Sequence, residues 1–414
     1  MVNLNLKNNM RIGINALSIT PDSTGGATTY ILELTRHLSK IDCRNNYVLF
    51  IRSDSRHHFC DSESGCFQYR SNFIFVGIPM PPLLSIVFRI LVDQLLMSLL
   101  ALWYRLDVLF CPGDTIPLWT PCASVMTIQN LIYLHSGEVY PLKNIKKRRF
   151  HTRAQLWYYR HFALRSAIKS DGIITVSENA KKEIVEFLKV NQLKISVVSH
   201  GIGAQFMDNS NDAKRMELDH ELQTDYILYV GAVLPYKNVE TVVEALSIIK
   251  DHNFISNQNR PLSLVIAGAD YSGYTSHVKA IAEKLGVSDQ VIFLGFIPYE
   301  RLPALYHGAR VFVLLSLCES FGLPILEAMA CGCPVVCSNV SSLPEIANDA
   351  AILVDPEDPV ETADAIEAIL KDHEYRRRLI YMGKIRIREF SWSKTASQTL
   401  SVLQQSVKAR SGRI

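Results

Sequence analysis

Short β-branched runs alternate with helical stretches along the whole chain, the pattern of parallel sheets joined by crossover helices, and so an α/β fold is expected. In the first half, strands are predicted near Arg11–Asn15, Tyr47–Ile51, Phe73–Val76, Val108–Phe110, Val125–Ile128, Gly172–Val176 and Ser196–Val198. A polar interval from Gly203 to Thr224 then interrupts the apolar rhythm. It resumes with Tyr226–Val230, Leu264–Ala267, Val291–Leu294, Val311–Leu314, Val335–Cys337 and Ile352–Val354. Two series in tandem predict two Rossmann-like domains, residues 1–210 and 211–390, followed by a segment 391–414 in which Ser393 is read as the N-cap of an amphipathic helix. Ligands of open α/β sheets sit beyond the carboxyl ends of the strands, so parallel sheets facing an interdomain cleft would form a two-substrate site.

Composition supports two domains, because 414 residues with 48% hydrophobic content exceed what one core usually serves. Nine cysteines, an odd number, and a start of MVNLNLKNN without an apolar leader point to free thiols in the cytoplasm. The net charge of +3 hides an asymmetry: residues 1–200 hold 23 Lys and Arg against 14 Asp and Glu, leaving 20 against 26 for the rest. A basic half could meet nucleic acid, an anionic membrane surface or a phosphorylated acceptor, or could be an uneven surface without function. The apolar stretch Leu83–Trp103 has the length of a membrane span, but Arg89 and Asp93 lie inside it, which suits a buried or interfacial helix with one polar edge.

The most informative segment is CESFGLPILEAMACGCPVV, Cys318 to Val336, which follows a strand and opens a helix near Pro324. Glu319 falls at the end of the strand and Glu327 about one turn into the helix, so the two carboxylates can reach different parts of one extended ligand. The backbone amides of Phe321, Gly322 and Leu323 at the helix start suit an anion such as a diphosphate, and Gly322 permits close approach.

This segment, with the following SNVSSLPEIANDAAILVDPEDP, resembles the E-x7-E signature of the retaining glycosyltransferases of family 4, and the resemblance extends along nearly the whole chain. It implies a GT-B fold with a nucleotide-diphospho-sugar as co-substrate, no other cofactor, and a terminal helix that crosses back onto the N-terminal domain. It also implies that Glu319 contacts donor-sugar hydroxyls, that Glu327 holds the ribose hydroxyls, and that the amides from Ser320 onward contact the diphosphate or sugar. In VGAVLPYKNVETVVEAL, where a strand closes on Gly231, it gives Lys237 the leaving diphosphate. A fixed ammonium there stabilises the transition state more than the ground state. Members of the family often carry an arginine immediately after that glycine; this chain has Ala232.

The pair Gly25-Gly26 resembles the family's glycine-rich loop after the first strand, which touches diphosphate and acceptor. Many members have His-Asp after the strand VMTI, where this chain reads Gln129-Asn130, so that Gln129 would orient the sugar by hydrogen bonds rather than through an imidazole. The segment LGFIPYERLPALYHGA resembles a base-binding loop in which Phe296 and Ile297 present backbone to the nucleobase. No metal is expected: no Asp-x-Asp stands in a suitable turn, and Cys331, Cys333 and Cys337 lack a nearby histidine, which favours core packing. The basic run Lys143–Arg153, with Lys146, Lys147, Arg148 and Arg149 and the aromatic residues after it, fits either peripheral membrane contact or a solvated helix face.

The expected activity is transfer of a sugar from a GDP- or UDP-sugar to a hydroxyl of a glycan or lipid-linked acceptor, at the inner face of the cytoplasmic membrane, in surface polysaccharide assembly. A nucleotide-sugar epimerase would also need the diphosphate cradle, and a non-catalytic nucleotide-sugar-binding protein would suit Gln129 and Ala232. Nucleic-acid binding lacks a recognition motif.

Overall fold

A computed structural model describes residues 9–21, 25–60, 68–80, 88, 90–129, 161–208, 225–252, 262–270 and 273–412. They fall into two compact units: the described residues up to Gly201 together with those from Ser391 onward, and those from Ile202 to Phe390.

The first unit holds β1 (Arg11–Asn15), β2 (Asn46–Arg52), β3 (Phe73–Ile78), β4 (Val108–Cys111), β5 (Ala123–Thr127), β6 (Gly172–Thr175) and β7 (Ile195–Val197). They pair in parallel in the order β3-β2-β1-β4-β5-β6-β7. Alternation along each strand divides the core between the two faces of the sheet. Val108 and Phe110 join Ile12, Ile14 and Leu49 beneath the helix Gly26–Ile41. Leu109 and Cys111 join Val48, Phe50, Met126 and Ile173 on the opposite face. This period of two follows from successive side chains pointing to opposite sides of the pleat.

The helix Trp392–Ser411 belongs to this first unit, where its Ala396 and Leu403 pack in the same cluster as Ile12 and Leu34. Its N-cap is Ser391, not the expected Ser393: Ser391 has extended backbone angles and its hydroxyl accepts the amide of Lys394. Burial of Trp392 against Tyr30 and His200 draws the first helical turn two residues earlier than the polar pattern implied. A Cβ on Gly201 would stand 2.1 Å from the Trp392 nitrogen, so only glycine admits this approach.

The second unit holds β8 (Asp225–Val230), β9 (Leu262–Ala267), β10 (Val291–Gly295), β11 (Val311–Leu314), β12 (Val335–Ser338) and β13 (Ile352–Val354), parallel in the order β10-β9-β8-β11-β12-β13. Strands β8, β9, β11 and β12 are buried at every position, as expected for a parallel sheet covered on both faces. In both sheets the strand order reverses beside the first strand, between β1 and β4 and between β8 and β11. These are the switch points at which open α/β sheets bind ligands.

Among the described residues no helix is long and apolar enough to cross a membrane. Within Leu83–Trp103, the described part forms a π-turn, Val92–Leu96, continued by the helix Met97–Trp103, and Asp93 is buried within hydrogen-bond reach of Asn15.

Candidate functional site

At the second unit's switch point the chain leaves β8 through Gly231, whose amide donates to the Ala267 carbonyl at 3.0 Å. A Cβ on Gly268 would fall 1.7 Å from the Gly231 oxygen, so the loops after β8 and β9 pass without room for a side chain there. The short turn Pro235–Lys237 follows, and Asn238 closes it at a φ of 53° with its side chain donating to the Pro356 carbonyl. The Leu317 amide donates to the Tyr236 carbonyl at 2.9 Å, stitching the loop after β8 to the loop after β11. Across this stitch Lys237 Nζ forms an ion pair with Glu319 Oε1, which also accepts the Ser316 hydroxyl at 3.2 Å. Both charged side chains are largely but not fully buried, so a ligand can reach them.

Ser341 and Ser342, from the loop after β12, hold the backbone of Glu319 and Ser320. The Ser341 hydroxyl accepts the Glu319 amide at 2.9 Å and donates to its carbonyl at 2.6 Å, and Ser342 donates to the carbonyls of Glu319 and Ser320 at 2.8 Å each. Gly322 has a φ of 95° and caps the helix Leu323–Ala330; a Cβ on it would meet Leu343 Cδ2 at 2.6 Å. One turn into that helix, Glu327 is buried and pairs with no cation among the described residues: Oε1 accepts the Tyr299 hydroxyl and Oε2 the Tyr306 hydroxyl, both at 3.0 Å. Burial pushes its carboxyl up to about 7, against the two phenols, which pull it down. Phe296 stands exposed after β10, with Ile297 beside it, in the segment that ends at Tyr299.

In the first unit Gly25 has a φ of 100° and precedes the helix Gly26–Ile41. At the switch point beside β1 and β4, Asp114 follows β4 and accepts a hydrogen bond from the backbone of Gln129, which follows β5. Desolvation raises the Asp114 carboxyl to about 7. The Gln129 Nε2 is buried and has no hydrogen-bond partner among the described residues. Asn130 and the run Lys146, Lys147, Arg148 and Arg149 lie outside the described residues. Cys331, Cys333 and Cys337 are buried free thiols.

Of the expected site residues, the structure thus brings Lys237 and Glu319 into contact, and holds Ser320, Phe321, Gly322 and Leu323 in the loop and helix start that follow. Glu327 occupies a separate environment of phenols. Ser316, Ser341, Ser342, Tyr299, Tyr306 and Asp114 carried no functional expectation. The doubled serine of VSSLP and the aromatic residues of PYERLPALY were visible in the sequence, but nothing in their spacing indicated which atoms they would meet.

Two Rossmann-like units of all-parallel order, one with an ammonium and a carboxylate at its switch point, define a GT-B architecture. Comparison with solved structures bears this out. The chain superposes on sucrose-phosphate synthase from Thermosynechococcus elongatus with a TM-score of 0.72 at 20% identity, covering 97% of this chain and 100% of that one. The HepE protein of Anabaena in complex with UDP-glucose gives a TM-score of 0.69 at 16% identity, covering 96% and 100%. Residues 24–206 match the profile of Glycosyltransferase Family 4 and residues 210–386 that of Glycosyl transferases group 1. The chain belongs to the family 4 glycosyltransferases. It is 31% identical over 256 residues to the O-antigen chain mannosyltransferase B of Escherichia coli, a match spanning 61% of this chain and 65% of that relative's length.

Proposed function

We propose that the protein is a retaining glycosyltransferase that moves a sugar from a nucleotide-diphospho-sugar to a hydroxyl of a glycan or lipid-linked acceptor, in surface polysaccharide assembly. The observation that carries this reading is the Lys237–Glu319 pair at the β8/β11 switch point. An ammonium held by a carboxylate is positioned to exchange part of that partnership for a phosphate oxygen. Charge grows on that oxygen as the bond from the sugar C1 to the diphosphate breaks. The released carboxylate of Glu319 accepts sugar hydroxyls, and Glu327 accepts ribose hydroxyls in place of a phenol.

The acceptor oxygen forms its bond to C1 on the face the diphosphate leaves, and its proton passes to the departing phosphate oxygen. The products are a nucleoside diphosphate and a glycoside with the donor's anomeric configuration. Lys237 supplies the positive charge, so no divalent cation is required. We assign the acceptor to the first unit, where Asp114 and the buried Gln129 amide offer an acceptor and a donor for hydroxyl groups. The relative named for O-antigen mannosyl transfer and the neighbour solved with UDP-glucose support the substrate class. We place the protein at the cytoplasmic face of a membrane on the strength of its basic run Lys146, Lys147, Arg148 and Arg149, whose charge suits anionic headgroups.

The test is to incubate purified protein with UDP- and GDP-sugars, a hydroxyl acceptor and EDTA, and to read the product's anomeric proton coupling by NMR. A glycoside of retained configuration is expected; an inverted product or dependence on metal would overturn the mechanism. Ala232, which leaves the turn with one cation, favours a second reading, a protein that binds nucleotide sugar and consumes none. Binding without turnover across all donors would select it.

A further inference from the structure

The first unit presents an apolar face that the transfer reaction does not use. Along the π-turn and the helix that continues it, Leu91, Leu95, Leu99 and Leu102 recur every three or four residues and are exposed; Leu95 and Leu99 are each 59% exposed, and Trp103 at the helix end is 82% exposed. The opposite side of the same segment is buried through Val92, Met97 and Ala101. Hence the segment carries apolar side chains on its exposed side as well as on its buried one, with Asp93, Gln94 and Ser98 turned to polar partners within the fold. A stripe of this size is unusual on a protein that meets only water.

Hydrogen bonds extend the face beyond one helix. The Ser98 hydroxyl donates to the Trp119 carbonyl at 2.6 Å, and Gln94 bonds Ile116 and Leu118, which fixes the 58%-exposed Trp119 beside the stripe. Lys169 donates to the Leu118 carbonyl and Ser166 to that of Ile116, which brings in the segment carrying the exposed Leu164 and Ile168. The exposed charges of these segments are basic, and the half-buried Asp107 accepts the Arg11 amide. Arg105, Arg165 and Lys169 are exposed around it, whereas Asp93 is buried and Asp171 is turned inward to Arg410. The first 200 residues carry nine more basic than acidic side chains.

Leucines and tryptophans flanked by arginine and lysine match the boundary of an anionic bilayer, where apolar groups enter the acyl region and cations meet headgroup phosphates. No helix among the described residues is long and apolar enough to cross a membrane, and the contact is one made by this exposed face. We propose that this face is the protein's docking surface for an anionic lipid bilayer, with Leu95, Leu99, Trp103 and Trp119 entering the interface. The proposal does not rest on the transfer reaction, because it is tested without donor or acceptor.

Vesicles of phosphatidylcholine alone, or with about a third phosphatidylglycerol, are mixed with the full chain and floated. Wild type should float with the anionic vesicles and lose binding as salt is raised. Brominated acyl chains should quench its tryptophan emission. The triple variant Leu95→Gln/Leu99→Gln/Trp103→Gln should partition at least about tenfold more weakly while keeping its far-ultraviolet circular dichroism. Arg105→Gln/Arg165→Gln/Lys169→Gln should lose the preference for anionic lipid. Failure of wild type to bind, or a folded apolar triple that binds as well as wild type, overturns the proposal. So does light scattering that shows a wild-type dimer converted to monomer by the triple, with vesicle binding unchanged, since the face would then belong to a second copy.

Discussion

The two units share one strand order, with the first strand between the second and the fourth, yet their switch points hold different chemistry. Beside β8 and β11 an ammonium and a carboxylate face one another, Lys237 and Glu319, with the Ser316 hydroxyl on the same oxygen. Beside β1 and β4 stand Asp114, whose carboxyl desolvation raises to about 7, and Gln129, whose buried side-chain Nε2 has no bonding partner among the described residues. A shared backbone supplies the location in both cases. What differs is charge: on the proposed reading the second site trades an ion pair for an anion, and the first exchanges hydrogen bonds with neutral groups.

The largest effect should come from Lys237→Ala, which removes the cation and spares the fold of the first unit. Turnover should fall by about 10²–10³, the scale of one transition-state donor, in a coupled assay for nucleoside diphosphate release. Turnover equal to wild type would erase the distinction between the two switch points. Next comes Gly322→Ala, which places a methyl 2.6 Å from Leu343 Cδ2 at a φ of 95°. It should cost about 1–3 kcal/mol by chemical denaturation and disturb the Glu319–Ser320 loop, since left-handed backbone and a tight neighbour both disfavour a side chain. Asp114→Asn should raise the acceptor KM about tenfold, the scale of one lost hydrogen bond, and leave the donor KM unchanged.

The smallest effect concerns pH. Glu327 and Asp114, one in each unit, both have carboxyls raised to about 7 in the folded chain. Between the ordinary carboxyl range and that value the folded state keeps protons the unfolded state has released. Stability therefore falls as pH rises through that window and levels off above it. Glu327→Gln and Asp114→Asn should each remove part of this slope when unfolding is followed from about pH 4.5 to about pH 7.5.

The strands were the most legible feature of the sequence, because parallel sheets covered on both faces demand uninterrupted apolar runs. Each of the described strands β1 to β13 lies where a run was read, with ends displaced by no more than two residues. Helix starts were less legible: Ser391 and Ser393 are both plausible caps until burial of Trp392 decides between them. At the site, Lys237 and Glu319 were recognisable from their motifs, but their contact spans 82 positions and depends on the adjacency of β8 and β11. The phenols on Glu327 come from 28 and 21 residues upstream and obey no local period. Asp114 drew no expectation, since nothing in CPGDTIP announces that its carboxyl will be desolvated.

The most direct measurement is a calorimetric titration of UDP, GDP, ADP and dTDP into wild type, Lys237→Ala and Glu327→Ala, with EDTA present. One base should bind to wild type, with Lys237→Ala weakening diphosphate binding and Glu327→Ala weakening ribonucleotides in particular. Binding undiminished in both variants would contradict the assignment of the β8/β11 switch point as the donor site.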